Sequence, residues 1–237
     1  MITNEAIVLA GGLGTRLQEV LPETPKCMAP IGEKPFVAYV LDYLAASGIS
    51  KVIISVGYRK DQVINYFGDS YKSLKLVYAI ESDPLGTGGA IKSAFNFTSL
   101  DEIFVLNGDT YFVPDLMKMT QQHTEYSADI TIAVKQVPDA SRYGKVITDP
   151  DGRITEFMEK QPDAGTGWIN GGIYLLNRNI MDSIEVQKFS LEHEIFRKQC
   201  SNFRMHAFRT DAFFLDIGIP ADLEKAQTLI PVQNRVK

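Results

Sequence analysis

The amino-acid sequence predicts an α/β fold, a mixed, mainly parallel sheet flanked by helices with a small antiparallel portion. Two rhythms in the chain predict it. From Ala6 to about Glu125, short apolar runs rich in Val, Ile and Leu alternate with helical stretches, as when parallel strands are joined by crossover helices. From Ile130 onward strands follow one another with few helices between, which implies mixed or antiparallel neighbours. A third observation suggests where ligands gather. The first apolar run breaks into Gly11-Gly12-Leu13-Gly14-Thr15-Arg16, at the carboxyl end of a strand.

Taken in order, residues 6–10 form the first strand. Residues 35–47 read as an amphipathic helix, with Pro35 at its start and Gly48 just past its end. Lys51–Val56 is a buried strand, 61–67 a short helix opened by an N-cap-type residue, and Leu74–Ile80 the next strand. Gly86-Thr87-Gly88-Gly89 leads into a helix through about Phe97, before a fourth buried strand at 103–107 and a helix over 114–125. In the second half, strands are expected at Ile130–Val137, 144–148, Ile154–Met158 and 168–176, with a turn at Asp149-Pro150-Asp151-Gly152. A helix at 190–198, short strands at 205–208 and 212–215, and a helix over 220–229 follow, and 231–237 should fray.

With 237 residues, 45% hydrophobic and 22% charged, the chain can bury a full core. A formal charge of −5 argues against a nucleic-acid partner but leaves room for a local cationic pocket. No run approaches the about eighteen apolar residues of a membrane-spanning helix, and Met1-Ile2-Thr3-Asn4-Glu5 lacks the basic start of a signal peptide. A cytoplasmic protein with no membrane partner is expected. Cys27 and Cys200 lack metal spacing and read as free thiols, and His123, His193 and His206 are scattered.

Glycines at the end of a strand let backbone N–H groups approach a phosphate, and Arg16 and Lys26 add two cations nearby. The loop is neither a P-loop, since Gly-Lys-Ser/Thr is absent, nor a dinucleotide fingerprint, since Leu17 stands where the third glycine belongs. Asp109 follows a buried strand in Asn107-Gly108-Asp109, and Asp216 ends the short run Phe213-Phe214-Leu215. Two strand-end carboxylates suit Mg²⁺, which takes one or two carboxylates together with phosphate oxygens and water. On the strand 154–158, alternation puts Glu156, Met158 and Lys160 on one face unless a bulge intervenes; a strand-end lysine suits a substrate phosphate. Asn170-Gly171-Gly172 breaks a strand and suggests a bulge or a close approach to a ligand.

Together these motifs resemble the sugar-1-phosphate nucleotidylyltransferases, which make nucleotide sugars from an NTP. The resemblance runs through Gly11–Leu17 with Pro25-Lys26, Leu85-Gly86-Thr87-Gly88-Gly89-Ala90, Asn107-Gly108-Asp109, Glu159-Lys160, Asn170-x-Gly172-x-Tyr174 and Leu215-Asp216-x-Gly218. It implies the Rossmann-like fold of nucleotide-diphospho-sugar transferases as a single domain over 1–237. Residues 1–128 would mainly bind nucleotide, and 129–237 mainly the sugar phosphate, adding the second metal carboxylate. Carried onto this sequence, it implies nucleotide contacts from Leu9, Ala10, Gly11, Gly12, Gly14, Thr15, Glu81, Gly86 and Thr87. Arg16, Lys26 and Asp109 are the implied catalytic residues, and Asp109 and Asp216 the Mg²⁺ ligands. Asn107, Gly108, Gly144, Glu159, Lys160, Asn170 and Gly171 are implied at the sugar phosphate. The implied reaction is in-line attack of a sugar-1-phosphate oxygen on the α-phosphorus, with release of pyrophosphate and no protein nucleophile. Cys27 stands where the family often has proline, Ile217 and Ile219 replace common threonines, and 18–24 lacks the usual Pro-Leu-Thr. None of these departures removes a charged group.

In relatives the position of Glu81 often faces the base edge. Carboxylate oxygens only accept, which matches the paired N1–H and N2–H donors of guanine and favours GTP. In size and motif combination the chain is most similar to the small guanylyltransferases acting on D-glycero-α-D-manno-heptose 1-phosphate, which serve bacterial surface glycans such as lipopolysaccharide, capsule and S-layer glycan. Mannose 1-phosphate guanylyltransferases, and uridylyl- or thymidylyltransferases acting on another hexose 1-phosphate, stay open. So does a homodimer. Of other classes, a glycosyltransferase would carry Asp-x-Asp after a strand, whereas Asp149-x-Asp151 sits in a turn. A non-catalytic nucleotide-sugar-binding protein would be expected to lose Arg16, Lys26 or Asp109, and all three are present.

Overall fold

The computed structural model describes residues 3–12, 14–17, 19–158, 160–162, 165–185 and 187–235. Strand β1 (Glu5–Leu9) runs into the glycine loop and two 3-10 turns, Thr15–Leu17 and Lys26–Met28. A small hairpin of β2 (Pro30–Ile31) and β3 (Lys34–Pro35) precedes α1 (Phe36–Ala46). The first half continues with β4 (Lys51–Val56), α2 (Lys60–Phe67), β5 (Ser70–Tyr71), β6 (Leu74–Ile80), α3 (Gly86–Ala94), β7 (Glu102–Asn107), β8 (Thr110–Phe112) and α4 (Leu116–Glu125). The second half holds β9 (Ile130–Val137), β10 (Lys145–Thr148), β11 (Ile154–Met158), β12 (Gly167–Asn177) and α5 (Arg178–Asp182). A π-helical turn (Glu192–Arg197), β13 (Met205–Arg209), β14 (Phe214–Asp216) and α6 (Pro220–Arg235) complete it.

Among the described residues, ten strands join in one mixed sheet, whose middle strands β6, β4, β1 and β7 are parallel. Parallel strands end on the same edge, so the glycine loop after β1, Glu81 after β6 and Asn107-Gly108-Asp109 at β7 gather there. Leu9 pairs beside Asn107, and Gly108 N donates to Leu9 O at 2.9 Å. Strand β12 ties the two halves together: it pairs antiparallel with β9 along its length, with β10 at Ile169 and with β7 from Ile173 onward. The register shifts between Asn170 and Tyr174, where Gly172 adopts φ +74, so the two glycines mark an irregularity as expected. Strand alternation divides the core. Ala6 and Val8 pack on the face covered by α1 and α6, and Ile7 and Ile53 on the face covered by α3, α5 and the π-helical turn.

Several elements depart from the sequence reading. Helix α1 is not amphipathic: Phe36 through Leu44 are all buried. Its one charged residue in that run, Asp42, is held by Lys34, Lys72 and the Tyr71 hydroxyl. The cap of α2 is Arg59, in the left-handed region at φ +50, and Asp61 falls in the first turn. The helix begun at Gly86 gives way to a 3-10 turn at Phe95–Phe97. Instead of fraying, α6 continues through Pro231 to Arg235. Its anchors outweigh the lost backbone bond at proline: Ala226 and Ile230 are buried, and the Gln227 amide donates to Pro30 O at 2.6 Å and accepts from Gly32 N at 3.1 Å. On β11, Glu156 is exposed and Lys160 lies beyond the strand, while a bulge leaves Thr155 unpaired between the partners of Ile147 and Thr148. Among the described residues, no helix is long and apolar enough to cross a membrane.

Candidate active site

Three adjoining cavities open at the carboxyl edge of the parallel strands. The first, about 590 Å³, is lined by Leu9, Ala10, Gly11, Gly12, Gly14, Arg16, Lys26, Glu81, Gly86, Thr87, Asn107, Gly108 and Asp109, among others. The second, about 430 Å³, shares Arg16, Lys26, Asn107 and Asp109 and adds Arg142, Tyr143, Lys160 and Asp216. The third, about 410 Å³, shares Lys160, Tyr143 and Asp216 and extends to Gly144, Asn170, Ser190, Glu192 and His193. Residues far apart in sequence thus form one continuous trough.

At the far end of the first cavity, Glu81 accepts from the Ser55 hydroxyl at 2.8 Å and from Leu85 N at 3.1 Å, one bond to each carboxylate oxygen. A carboxylate offers about two acceptor sites per oxygen, so one on each stays available for a ligand. The α3 N-terminus is a different matter. Its Gly88 and Gly89 N–H groups donate to Phe189 O at 3.0 and 3.3 Å, so the chain itself satisfies donors that a phosphate would otherwise take. A Cβ on Gly88 would overlap the Phe189 ring. The Gly86–Gly89 run therefore serves close packing first, although Gly86 and Thr87 do line the cleft.

In the middle cavity β14 pairs with β8, setting Asp216 opposite Thr110 and so beside Asp109. Lys26 Nζ lies 2.7 Å from Asp109 Oδ2 and 3.9 Å from Asp216 Oδ1, and Asp216 also accepts from Gly218 N. Burial raises Asp216 above the usual carboxylate range, Asp109's charge adds to this, and Lys26 opposes it. Two carboxylates crowded in one cavity suit a divalent cation completed by phosphate oxygens and water. Around them stand Arg16, Lys26, Arg142 and Lys160. Burial holds Lys160 below the ordinary lysine value, with Arg16, Lys26 and Arg142 pushing the same way and Asp216 the other. Among the described residues neither Arg16 nor Lys160 has an ion-pair partner. Cations that disfavour one another's charge make a polyanion site.

In the third cavity Asn170 is largely committed to the protein. Its amide nitrogen donates to the Tyr174 hydroxyl at 2.8 Å and its oxygen accepts from Gly172 N at 2.9 Å, while Asn170 N donates to Gly144 O at 2.9 Å. Gly171 departs from its expected place at the sugar: it lines none of the three cavities and packs against Phe112 and Ala133 O. Glu159 lies outside the described residues, as does the Thr15 side chain. Sequence reasoning missed Arg142, Tyr143, Ser190, Glu192 and His193. Arg142 and Tyr143 directly precede Gly144, but nothing local reveals that Asp222 of α6 anchors Arg142 at 2.5 Å. Cys27 lines the first cavity, yet burial pushes its thiol up to about 12, which keeps it protonated and unreactive.

Comparison with known proteins agrees with this arrangement. The chain is 46% identical to D-glycero-alpha-D-manno-heptose 1-phosphate guanylyltransferase of Aneurinibacillus thermoaerophilus over 94% of its length and 96% of that protein. The protein of the same name from Campylobacter jejuni is 42% identical over 92% of this chain and 96% of its own. The crystal structure of HddC from Yersinia pseudotuberculosis complexed with GMP-PN superposes with a TM-score of 0.85 at 37% identity, covering 95% of this chain and 98% of that one. The family model described as Nucleotidyl transferase matches residues 5–232, from the first residue of β1 into the last helix. A trough walled by strand ends from both halves of the chain is thus spanned by one family pattern, and the chain belongs to the nucleotidyl transferase family.

Proposed function

We propose that this enzyme transfers a guanylyl group from GTP to D-glycero-α-D-manno-heptose 1-phosphate, forming GDP-heptose and pyrophosphate for bacterial surface-glycan synthesis. The observation that carries the reading is the continuous trough, with an acceptor-only carboxylate at one end, a cationic centre in the middle and a polar pocket beyond Lys160. The names of the two similar relatives from Aneurinibacillus thermoaerophilus and Campylobacter jejuni support both the base and the sugar.

In this reading Glu81 accepts from the N1–H and N2–H of guanine, which uracil and adenine cannot both supply. Arg16 and the glycine-loop amides hold the triphosphate, Lys26 the region of the α-phosphate, and Lys160 the sugar phosphate. A sugar-phosphate oxygen forms the new bond to the α-phosphorus, and the bond to the bridging oxygen of pyrophosphate breaks. The attacking phosphate is already an anion, so no general base is needed, and the chain contributes positioning and charge neutralisation. Mg²⁺ held by Asp109 and Asp216 would withdraw charge from phosphate oxygens. We place the nucleotide mainly on residues 1–128 and the sugar phosphate mainly on 129–237 of a single domain, working in the cytoplasm. A homodimer stays open as its assembly.

The test is pyrophosphate release with Mg²⁺ across GTP, UTP, dTTP, CTP and ATP, each paired with heptose, mannose and glucose 1-phosphates. Turnover only with GTP and the heptose phosphate is expected. Turnover with UTP or dTTP overturns the role of Glu81, and preference for mannose overturns the sugar assignment.

A further inference from the structure

A hydrogen-bonded seam connects the nucleotide cleft to the sugar pocket. Leu85 N donates to Glu81 Oε2 at 3.1 Å, Phe189 N donates to Leu85 O at 2.9 Å, and Gly88 N returns to Phe189 O at 3.0 Å. Farther along, Leu191 N donates to Thr87 Oγ1 at 2.9 Å, and the Thr87 hydroxyl donates to Glu192 Oε2 at 2.6 Å. The Ser190 hydroxyl donates to the same oxygen at 2.8 Å. Thr87 has only one proton to give and gives it to Glu192. Its hydroxyl therefore has no donor left for a nucleotide, although the residue lines that cleft.

Glu192 is built for a different ligand. Two hydroxyls fix Oε2, and Oε1 has no hydrogen-bond partner among the described residues. The carboxylate lines the third cavity with Ser190 and His193, and none of these three lines the second. Lys160, Tyr143 and Asp216 line both, so a sugar with its phosphate at Lys160 turns its opposite end toward Glu192. An acceptor-only group suits hydroxyl donors, and each such bond to a charged group is strong when water is excluded.

We propose that Glu192 reads hydroxyls at the end of the sugar remote from C1, and that Thr87 is the positioning residue that aims it. Sugar selection is then set partly from the nucleotide side of the trough. This rests on the reaction proposed above.

The experiment compares wild type with Glu192→Gln, Thr87→Val and Thr87→Ser by pyrophosphate release, varying GTP and the sugar phosphate separately, with thermal midpoints as the folding control. The sugar is heptose 1-phosphate, or whichever of the heptose, mannose and glucose phosphates wild type uses best. Glu192→Gln turns an acceptor facing the pocket into a donor, and the KM for the sugar phosphate should rise roughly tenfold to a hundredfold. The KM for GTP should stay within about twofold, since no guanine contact is lost. Thr87→Val should show the same split, and Thr87→Ser, which keeps the hydroxyl, should restore the wild-type KM. An unchanged sugar KM in folded Glu192→Gln overturns the proposal, even where Thr87→Val fails to fold. A Thr87→Val defect confined to GTP overturns the positioning role. Wild type silent with every pair would instead remove the guanylyl-transfer reading and this inference with it.

Discussion

Glu81→Gln tests base recognition at a single atom. The substitution preserves volume, and its internal bonds can be rebuilt. Leu85 N can only donate, so the amide oxygen must turn toward it, and the amide nitrogen then faces Ser55 Oγ, which can rotate to accept. The thermal midpoint should therefore hardly move. Toward the base, one of two acceptors has become a donor. Guanine would lose one hydrogen bond to a charged group, about 1.5–3 kcal/mol, and would meet an opposed N–H pair in its place. At roughly 1.4 kcal/mol per tenfold change, kcat/KM for GTP should fall about tenfold to several hundredfold. Uracil and adenine never used both acceptors, so UTP and ATP should change little and the preference for GTP should collapse. The assay is kcat/KM for each nucleotide at fixed sugar phosphate. A folded variant that keeps GTP within about twofold of wild type would refute the reasoning.

Asp109→Asn should lower kcat far more than it weakens GTP binding, and chelation of divalent ions should stop turnover until Mg²⁺ is restored. Near-normal kcat in that variant would remove the metal assignment. Gly88→Ala drives a methyl group into the Phe189 ring, and overpacking of this kind costs about 1–3 kcal/mol, readable in a denaturant titration. An unchanged midpoint would mean that the seam is slack. Burial lowers the pKa of both His123 and His206, so each contributes stability that is full above the ordinary value of about 6.5 and is lost as pH falls toward the folded value. The thermal midpoint should drop on acidification from neutral pH, and the double variant His123→Gln/His206→Gln should flatten that slope.

The sheet was legible because buried strands announce themselves: Lys51–Val56, Leu74–Ile80, Ile130–Val137 and Ile154–Met158 stand where their apolar runs and flanking turns put them. The gathering of Leu9, Glu81 and Asn107 at one edge followed from parallel order alone. What stayed hidden depends on contacts between distant residues. Pro231 reads as a helix stop until Gln227 is seen gripping the β2–β3 hairpin. Gly86-Thr87-Gly88-Gly89 reads only as the lead into a helix, and its last two glycines are explained by the close approach of Phe189 and Gln187, about a hundred positions on. Glu192 reads as an ordinary first-turn carboxylate, since its partner Thr87 is 105 positions away. Arg142 needed Asp222 to be noticed.

The pairing of β14 with β8 also bears on when this protein becomes competent. Asp109 and Asp216 belong to segments joined by a three-residue ladder, and everything between them must be made and folded before that ladder forms. A growing chain that has emerged through Asp109 already carries the glycine loop, Arg16, Lys26 and Glu81. It lacks Lys160 and the second carboxylate. Domains tend to fold as units during synthesis, with the amino-terminal part appearing first. An unfinished chain also lacks Phe189, which holds the Leu85–Gly89 segment, so on the proposed reading both ends of the trough are completed together, when one of the last strands docks.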